Sequence, residues 1–321
     1  MANTAMLGTT LMPDMIKRGY KPKMIMGPIL ATGGLAMIIP PSSLAVLLGS
    51  LARIDVGALL IAGLVPGLVL ALMFVATIRL QIALDPDAAP GYAADRATFG
   101  EIISAIARDI LPMGLVIFAV VGLILLGWAT PTESAAFGTL AVAILAAIYR
   151  KLTWTAVIAA MKGTLMVSAM MLMIIVGSTT FSQILAFSGA SSGLISYAMS
   201  FDFGFYAILA LMFLVLLILG MFMDQLSIMM LTLPIFMPLA SSYGFDPIWF
   251  GVIMLLALEL SLATPPFGLL LFVMVGVSPP GTTIGQVAWA AAPFIACTLL
   301  LVLILAVFPE LALWLPGLMR S

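Results

Sequence analysis

"TGGLAMIIPPSSL", residues 32–44, lies inside an apolar run that extends from 24 to 52. It sets two glycines and two adjacent prolines where a membrane helix depends on unbroken backbone hydrogen bonds. Proline has no N–H to donate and its ring clashes with the preceding turn, so a helix entering this stretch breaks there. Inside a bilayer such a break is tolerated only where protein buries it or a watery cavity solvates it. The rest of the chain indicates that the bilayer is its solvent. Of 321 residues, 64% are hydrophobic and 8% charged, and the mean hydropathy is +1.29, whereas soluble domains carry about 25% charged residues. Apolar stretches close to the roughly 20 residues that span a bilayer recur along the chain. They are continuous rather than alternating, which excludes a β-barrel. The break at 32–44 therefore marks a specialised place in an all-α polytopic membrane protein.

The net charge of −1 gives nucleic acid nothing to bind. The one cysteine, Cys297, sits in an apolar run, so neither a disulfide framework nor a thiolate metal site is expected. Histidine is absent, which removes the commonest metal ligand, general base and near-neutral proton relay together. No transition-metal site, cofactor or catalytic residue is assigned. Carboxylates, hydroxyls and backbone groups must do whatever the chain does.

Apolar segments fall at 24–52, 56–82, 111–128, 133–149, 163–185, 203–222, 224–242, 248–276 and 285–308. In the polar stretch between them, Phe99, Ile102, Ile103, Ile106 and Ile110 fall at helical spacing. They mark either a helix lying in the membrane interface or a solvated loop with a helical turn. Sliding the chain against itself by 225 positions exposes a repeat. Met12-Pro13 meets Met237-Pro238, Gly19 meets Gly244 and Pro22 meets Pro247. Leu30 and Leu35 meet Leu255 and Leu260, and Pro40-Pro41 meets Pro265-Pro266. These are eight identities in the 30 positions from 12 to 41, four of them prolines. Leucine coincidences are cheap in an apolar chain; prolines in register are not. Each copy has an apolar leg, a short turn, a helix broken at Pro-Pro, and a further helix.

The turn of the first copy carries Lys17, Arg18, Lys21 and Lys23; that of the second, "ASSYGFDPI", carries no basic residue. Because Lys and Arg accumulate in cytoplasmic loops, the copies are expected to be inverted across the membrane. Threading the rest, with 203–242 as a re-entrant hairpin, puts ten of the twelve basic residues inside, leaving Arg53 and Arg320 outside. The expected organisation is a first inverted repeat at 1–82 and a cytoplasmic loop with its interfacial helix at 83–110. Scaffold helices at 111–162 and a second inverted repeat at 163–321 follow.

Inverted repeats with hairpins and interrupted helices point to a secondary transporter. A single Pro-Pro is better explained by a kink; two in register within inverted copies favour paired sites instead. Carbonyls freed by the breaks can ligate a hard cation such as Na⁺, and half-helix N-termini can hold an anionic group. "GMFMD" places Gly220 and Asp224 at the tip of the second hairpin, with Asp224 either an N-cap or an ion ligand. "LELSLATPPFG" adds Glu259, Ser261 and Thr264 on the second broken helix, with Glu259 either a packing carboxyl or a functional one. Glu133, in "ATPTESAAF", reads as a helix-start residue capped by Thr130 or Thr132.

"TGGLAMIIPPS", "GMFMD", "LPIFMP", "YGFDPIWFGV" and "ATPPFGLLLFVMVGVSP", in that order, resemble the large membrane subunit of the tripartite ATP-independent periplasmic (TRAP) transporters. The resemblance runs from residue 2 to about 315. It implies sodium-coupled uptake of an organic acid, dicarboxylates among them, across the bacterial inner membrane by an elevator-type motion. It also implies a periplasmic substrate-binding protein and a small four-helix membrane subunit as partners. Carried over by motif, one cation site would use Asn3, Thr32, Gly33, Pro40 and Ser42, and a second Gly220, Asp224 and Thr264. Substrate would lie between them, lined by Ser43, Glu259, Ser261, Pro265 and Pro266. Members of that family have further residues before the point matching "ANTAMLG", and the repeat places the start of a first hairpin about 22 residues before Met1. The chain is thus expected to lack the first leg of that hairpin. A carboxylate–Na⁺ symporter without a binding protein and a non-functional permease fragment are the alternatives. An intramembrane enzyme would want clustered carboxylates or histidines, which this chain lacks.

Overall fold

A computed structural model describes residues 2–91, 98–190, 193, 196, 197, 200, 203–265 and 268–319. Among them the backbone is helical with no strand. Six helical stretches are long and apolar enough to cross a bilayer, and three shorter apolar helices accompany them. The molecule is an all-α, multi-pass membrane protein. It divides into two compact units, residues 1–92 with 184–321, and residues 93–183.

The larger unit holds both copies of the repeat. The first runs through α1 (Ala2–Lys17), α2 (Pro22–Leu35), α3 (Ser43–Ala52), α4 (Val56–Ala62) and α5 (Leu64–Leu84). In the smaller unit are α6, a continuous helical run over Phe99–Leu125, α7 (Pro131–Ile148) and most of α8 (Trp154–Phe187). Back in the larger unit, α9 (Phe205–Gly220) and α10 (Gln225–Ser242) are the legs of a hairpin. α11 (Pro247–Ala263), α12 (Leu269–Val277), α13 (Ile284–Val307) and α14 (Glu310–Met319) complete the chain.

The copies match from the leg through the turn, the broken helix and the post-break helix. Gly19 and its counterpart Gly244 follow α1 and α10 at φ +80° and +74°, left-handed positions that end a helix and that glycine enters without strain. Pro22 and Pro247 then occupy the first turns of α2 and α11, where a missing N–H costs nothing. Packing is reciprocal as well. The first copy's leg, α1, packs on the second copy's post-break helix, α12, while α10 packs on α3. Likewise α2 packs on α13, and α11 on α4. An exchange in which i meets j′ and i′ meets j is what a two-fold relation produces.

α11 is buried at every position from Ile248 to Leu262, which explains its lack of a polar face: a helix hydrophobic all round is one enclosed by others. The first copy's turn is pinned differently from the second's. Lys21 and Lys23 each pair with Asp85, just beyond α5, at 2.8 Å, and the Lys21 N–H donates to Ala88 O at 3.0 Å. The Lys21 ammonium first, then that of Lys23, holds the Asp85 carboxyl below its ordinary value of 3.8.

Three segments differ from the sequence-based outline. The helix opening at Phe99 runs on through wide turns to Leu125 instead of stopping in a loop; a capping box between Thr98 and Glu101 starts it. α8 begins at Trp154, nine residues before the apolar core of that segment. The Thr153 hydroxyl accepts from Ala156 N–H there, and the long stem of Lys162 lets a charge sit on the helix. α14 follows Pro309 as a short amphipathic addition packed on α4 and α5. Thr130, Pro131 and Glu133 do start α7, with Thr130 as the cap and a full capping box. Within "FSGASSG", Ser188 and Gly189 form a turn.

Candidate functional site: the two helix breaks and the second hairpin tip

The first break spans Ala36 to Ser42. Pro41 deprives the Met37 carbonyl of its helical donor, and the Ser42 hydroxyl supplies a replacement by donating to it. The same Ser42 oxygen accepts from Ala45 N–H at 3.2 Å and so caps α3. Ser42 therefore ties the two ends of the break together, and it is 3% exposed. Pro40 is buried beside it, and Ser43, the first residue of α3, is exposed. Gly63 and Gly67 close the back of the break. A methyl on Gly63 would lie 2.5 Å from the Ile38 carbonyl oxygen, and one on Gly67 would lie 2.5 Å from Ile39.

Of the other first-site candidates, Gly33 is buried, and a methyl there would fall 2.0 Å from Oγ1 of Thr4. Thr4 is fully buried and its hydroxyl has no hydrogen-bond partner. Asn3, its neighbour on α1, is exposed. Thr32 is exposed and donates to the Pro28 carbonyl of its own helix at 2.7 Å.

At the second copy the hairpin tip is the turn from Gly220 to Asp224. Asp224 is the N-cap of α10: one carboxylate oxygen accepts from the N–H groups of Leu226 and Ser227 at 3.0 and 3.2 Å, and the other from the Ser227 hydroxyl. Gly220 touches α11 so closely that a methyl there would lie 2.0 Å from Ser261 Oγ and 2.1 Å from its Cβ. Ser261, fully buried, donates to Leu258 O at 2.9 Å, and Thr264 donates to Leu260 O at 2.7 Å. Pro265 is exposed; Pro266 lies outside the described residues. Gly268 sits against the Leu262 and Thr264 carbonyls, its missing methyl 2.5 and 2.8 Å from their oxygens.

Three residues that the sequence did not single out join these parts. Gln225 is 8% exposed; its amide donates to the Met37 sulfur at 2.8 Å and reaches Leu258 O at 3.4 Å. It links the hairpin tip to the first break and to α11 in one step. Its position beside Asp224, a second polar residue in an apolar hairpin, was the available signal. Thr4 was adjacent to a chosen residue. Gly34 is the exact register partner of Glu259, 225 positions apart, and the two touch: a methyl on Gly34 would lie 2.1 Å from Glu259 Oε1. Contact between a residue and its own repeat counterpart places both beside the two-fold axis.

Glu259 is 5% exposed and its Oε2 has no partner. It faces a cavity of about 20 Å³ walled by Leu30, Phe74, Phe294 and Thr298 among others. That volume admits a single water and no organic acid. The structure thus brings Met37, Ser42, Gly220, Gln225 and Ser261 towards one another, and sets Glu259 on the far, apolar side of α11.

Two broken helices with a hairpin against them, in a multi-pass protein, are the parts of a membrane transport component. The chain belongs to the family described as the tripartite ATP-independent periplasmic transporter, DctM component, whose pattern it matches over residues 1–311. It is 32% identical over 321 residues to the uncharacterised protein YgiK of Salmonella typhimurium, an alignment covering 99% of this chain and 72% of that protein. The C4-dicarboxylate TRAP transporter large permease protein DctM of Pseudomonas aeruginosa is 31% identical, covering 98% of this chain and 73% of that one. The ectoine/5-hydroxyectoine large permease protein UehC of Ruegeria pomeroyi is 27% identical over the whole of this chain and 73% of its own length.

Proposed function

We propose that this chain is the substrate-carrying subunit of a sodium-coupled uptake system for an organic acid in the bacterial inner membrane. A periplasmic binding protein delivers the substrate, and a small membrane subunit completes the assembly. The observation that carries the reading is Gln225: bonded to Met37 and Leu258, it joins the tip of the second hairpin to the first break and to the second broken helix. Backbone leaving the helix at membrane depth is useful there because carbonyls replace the hydration shell of a hard cation.

One Na⁺ would be held at Asn3, Thr32, Gly33, Pro40 and Ser42, with the unpartnered Thr4 hydroxyl added; a second would be held at Gly220, Asp224 and Thr264. Asp224 accepts two N–H bonds at Oδ2 and one hydroxyl bond at Oδ1, which leaves Oδ1 a lone pair for an ion. The acid would bind between them, near Ser43, Ser261, Pro265 and Pro266, with the N-terminus of α3 facing its carboxylate. Glu259 would act behind this site, through α11. Transport would proceed by elevator motion of the paired repeats. Because the named relatives carry a C4-dicarboxylate or an ectoine, the substrate class is taken only as far as a small organic acid.

The test is uptake into proteoliposomes holding this chain, the small subunit and the binding protein, with and without an inward Na⁺ gradient. Asp224→Asn, which keeps an N-cap of similar quality, should abolish Na⁺-dependent uptake with insertion unchanged. Uptake of unaltered Na⁺ dependence in that variant would remove Asp224 from the site. Full uptake without the binding protein would favour a stand-alone symporter.

A further inference from the structure

In the smaller unit, Pro112 lies one helical turn beyond Arg108 and cannot donate to its carbonyl. The Tyr149 hydroxyl does so instead, at 2.6 Å, and the backbone widens into a π-turn over Ile106–Ile110. Such turns recur at functional sites. This one ties the middle of α6 to the end of α7 and opens a groove of about 430 Å³ between them. The walls are Pro112, Met113, Val116, Val142, Leu145 and Ala146, all apolar, with Arg108 and Tyr149 at one end. Beyond Tyr149 the chain folds back, the N–H groups of Lys151 and Leu152 both donating to the Ala146 carbonyl, so Arg150 and Lys151 directly follow a residue of the groove wall. Arg108, Arg150 and Lys151 are exposed, and among the described residues none forms an ion pair. Met113 and Val142 are 61% and 53% exposed, so the groove is open along its length. An apolar trough with unneutralised cations at one end, on a membrane-spanning surface, matches a molecule with an apolar tail and an anionic head.

We propose that the α6–α7 groove binds one anionic phospholipid, its phosphate held by Arg108 with Arg150 and Lys151, and an acyl chain lying against Met113, Val142 and Ala146. The Tyr149 hydroxyl fixes the depth of the site by holding the wide turn of α6 at Arg108. Native mass spectrometry of the detergent-purified full chain, titrated with phosphatidylglycerol or with phosphatidylcholine of the same acyl chains, tests the proposal. Phosphatidylglycerol should bind preferentially. Arg108→Ala should weaken its binding about fivefold, as expected for loss of one basic group at a headgroup, and Arg108→Lys should restore most of it. Ala146→Phe, which fills the trough and leaves every charge in place, should also abolish the preference. Equal binding of the two lipids, or an undiminished preference in Ala146→Phe, would overturn the proposal, the latter by reducing the effect to diffuse attraction. A photo-crosslinker at Val142 in native membranes should yield a lipid adduct; an adduct with a second polypeptide would assign the groove to a protein partner instead and overturn it.

Discussion

The two broken helices share one plan and use opposite chemistry. In the first, glycines precede the break and a serine follows it: Gly33 and Gly34 admit neighbours, and Ser42 satisfies the Met37 carbonyl. In the second, Leu258 and Glu259 stand where the glycines were, and Phe267 stands where Ser42 was. The Leu262 carbonyl, counterpart of Met37, loses its donor to Pro266 and has Gly268 packed against it. The difference is a requirement of the axis. Positions 34 and 259 face each other, so two large residues would collide there and two small ones would leave a void. Duplication supplies the frame, and the contact along its axis forces the copies to diverge.

Five substitutions would break or sharpen that comparison. Gly220→Ala should have the largest effect, because its methyl meets Ser261 at the Cβ, 2.1 Å away, and a Cβ cannot rotate aside. Overpacking of this kind costs about 3 kcal/mol, read as a lowered melting temperature of the purified protein. Ser261→Gly in the same chain should recover it, whereas Ser261→Ala, which keeps the Cβ, should not. If both rescue equally, the tip is not seated on α11 as described. Ser42→Ala comes next. It removes the cap of α3 and leaves the Met37 carbonyl buried without a donor, together about 2 kcal/mol. At the second break the Thr264 hydroxyl donates to Leu260 O within its own helix rather than across the break, so Thr264→Ala should cost less; an equal loss would mean that the two breaks are held alike.

Gly34→Ala should cost about 1 kcal/mol, since the Glu259 carboxyl it meets is the mobile end of a side chain. Combined with Glu259→Ala, it should be nearly free. A double-mutant cycle on melting temperatures checks this, and additivity of the two losses would deny the axial contact.

Much of this arrangement was legible beforehand because its signals are local. Proline at 40, 41, 265 and 266 marks the breaks wherever the helices go, and Asp224 in an apolar hairpin marks a tip. The repeat was legible because glycine and proline hold their register when the apolar residues around them drift. What stayed hidden depends on pairing. Nothing in "MDQLS" says that Gln225 reaches Met37, 188 positions away. Nothing around Thr4 says that Gly33 receives it. The placement of Glu259 could have been anticipated only by asking which repeat counterparts touch, since its burial comes from four different helices. The extent of α6 was hidden for a different reason: the helical spacing of Phe99 to Ile110 fits an interfacial helix or a helical turn in a loop, and nothing in it says that a helix started by the capping box at Thr98 runs on to Leu125.

The smallest effect distinguishes the turns of the two copies. In the first, Asp85 sits between Lys21 and Lys23; in the second, Asp246 caps α11 through the N–H groups of Ile248 and Trp249 at 2.8 and 3.0 Å. The Lys21 and Lys23 ammonium groups lower the Asp85 carboxyl in the folded protein relative to its ordinary 3.8. A carboxyl lowered by folding contributes stability that is complete above the unfolded value and is lost as the folded carboxyl takes up its proton. Asp85→Asn should therefore melt slightly below the parent at neutral pH, and the gap should close as the pH falls below 3.8. Raising the salt from 0.15 to about 1 M should narrow the gap at neutral pH, because the screening length shortens from about 8 to about 3 Å. The second turn, held by backbone hydrogen bonds to a cap, should show neither dependence on salt nor a counterpart to this pair. If Asp85→Asn and the parent keep a constant difference down to pH 2, the lysines serve only to satisfy the positive-inside bias, and the turn is held by the Lys21 to Ala88 backbone bond alone.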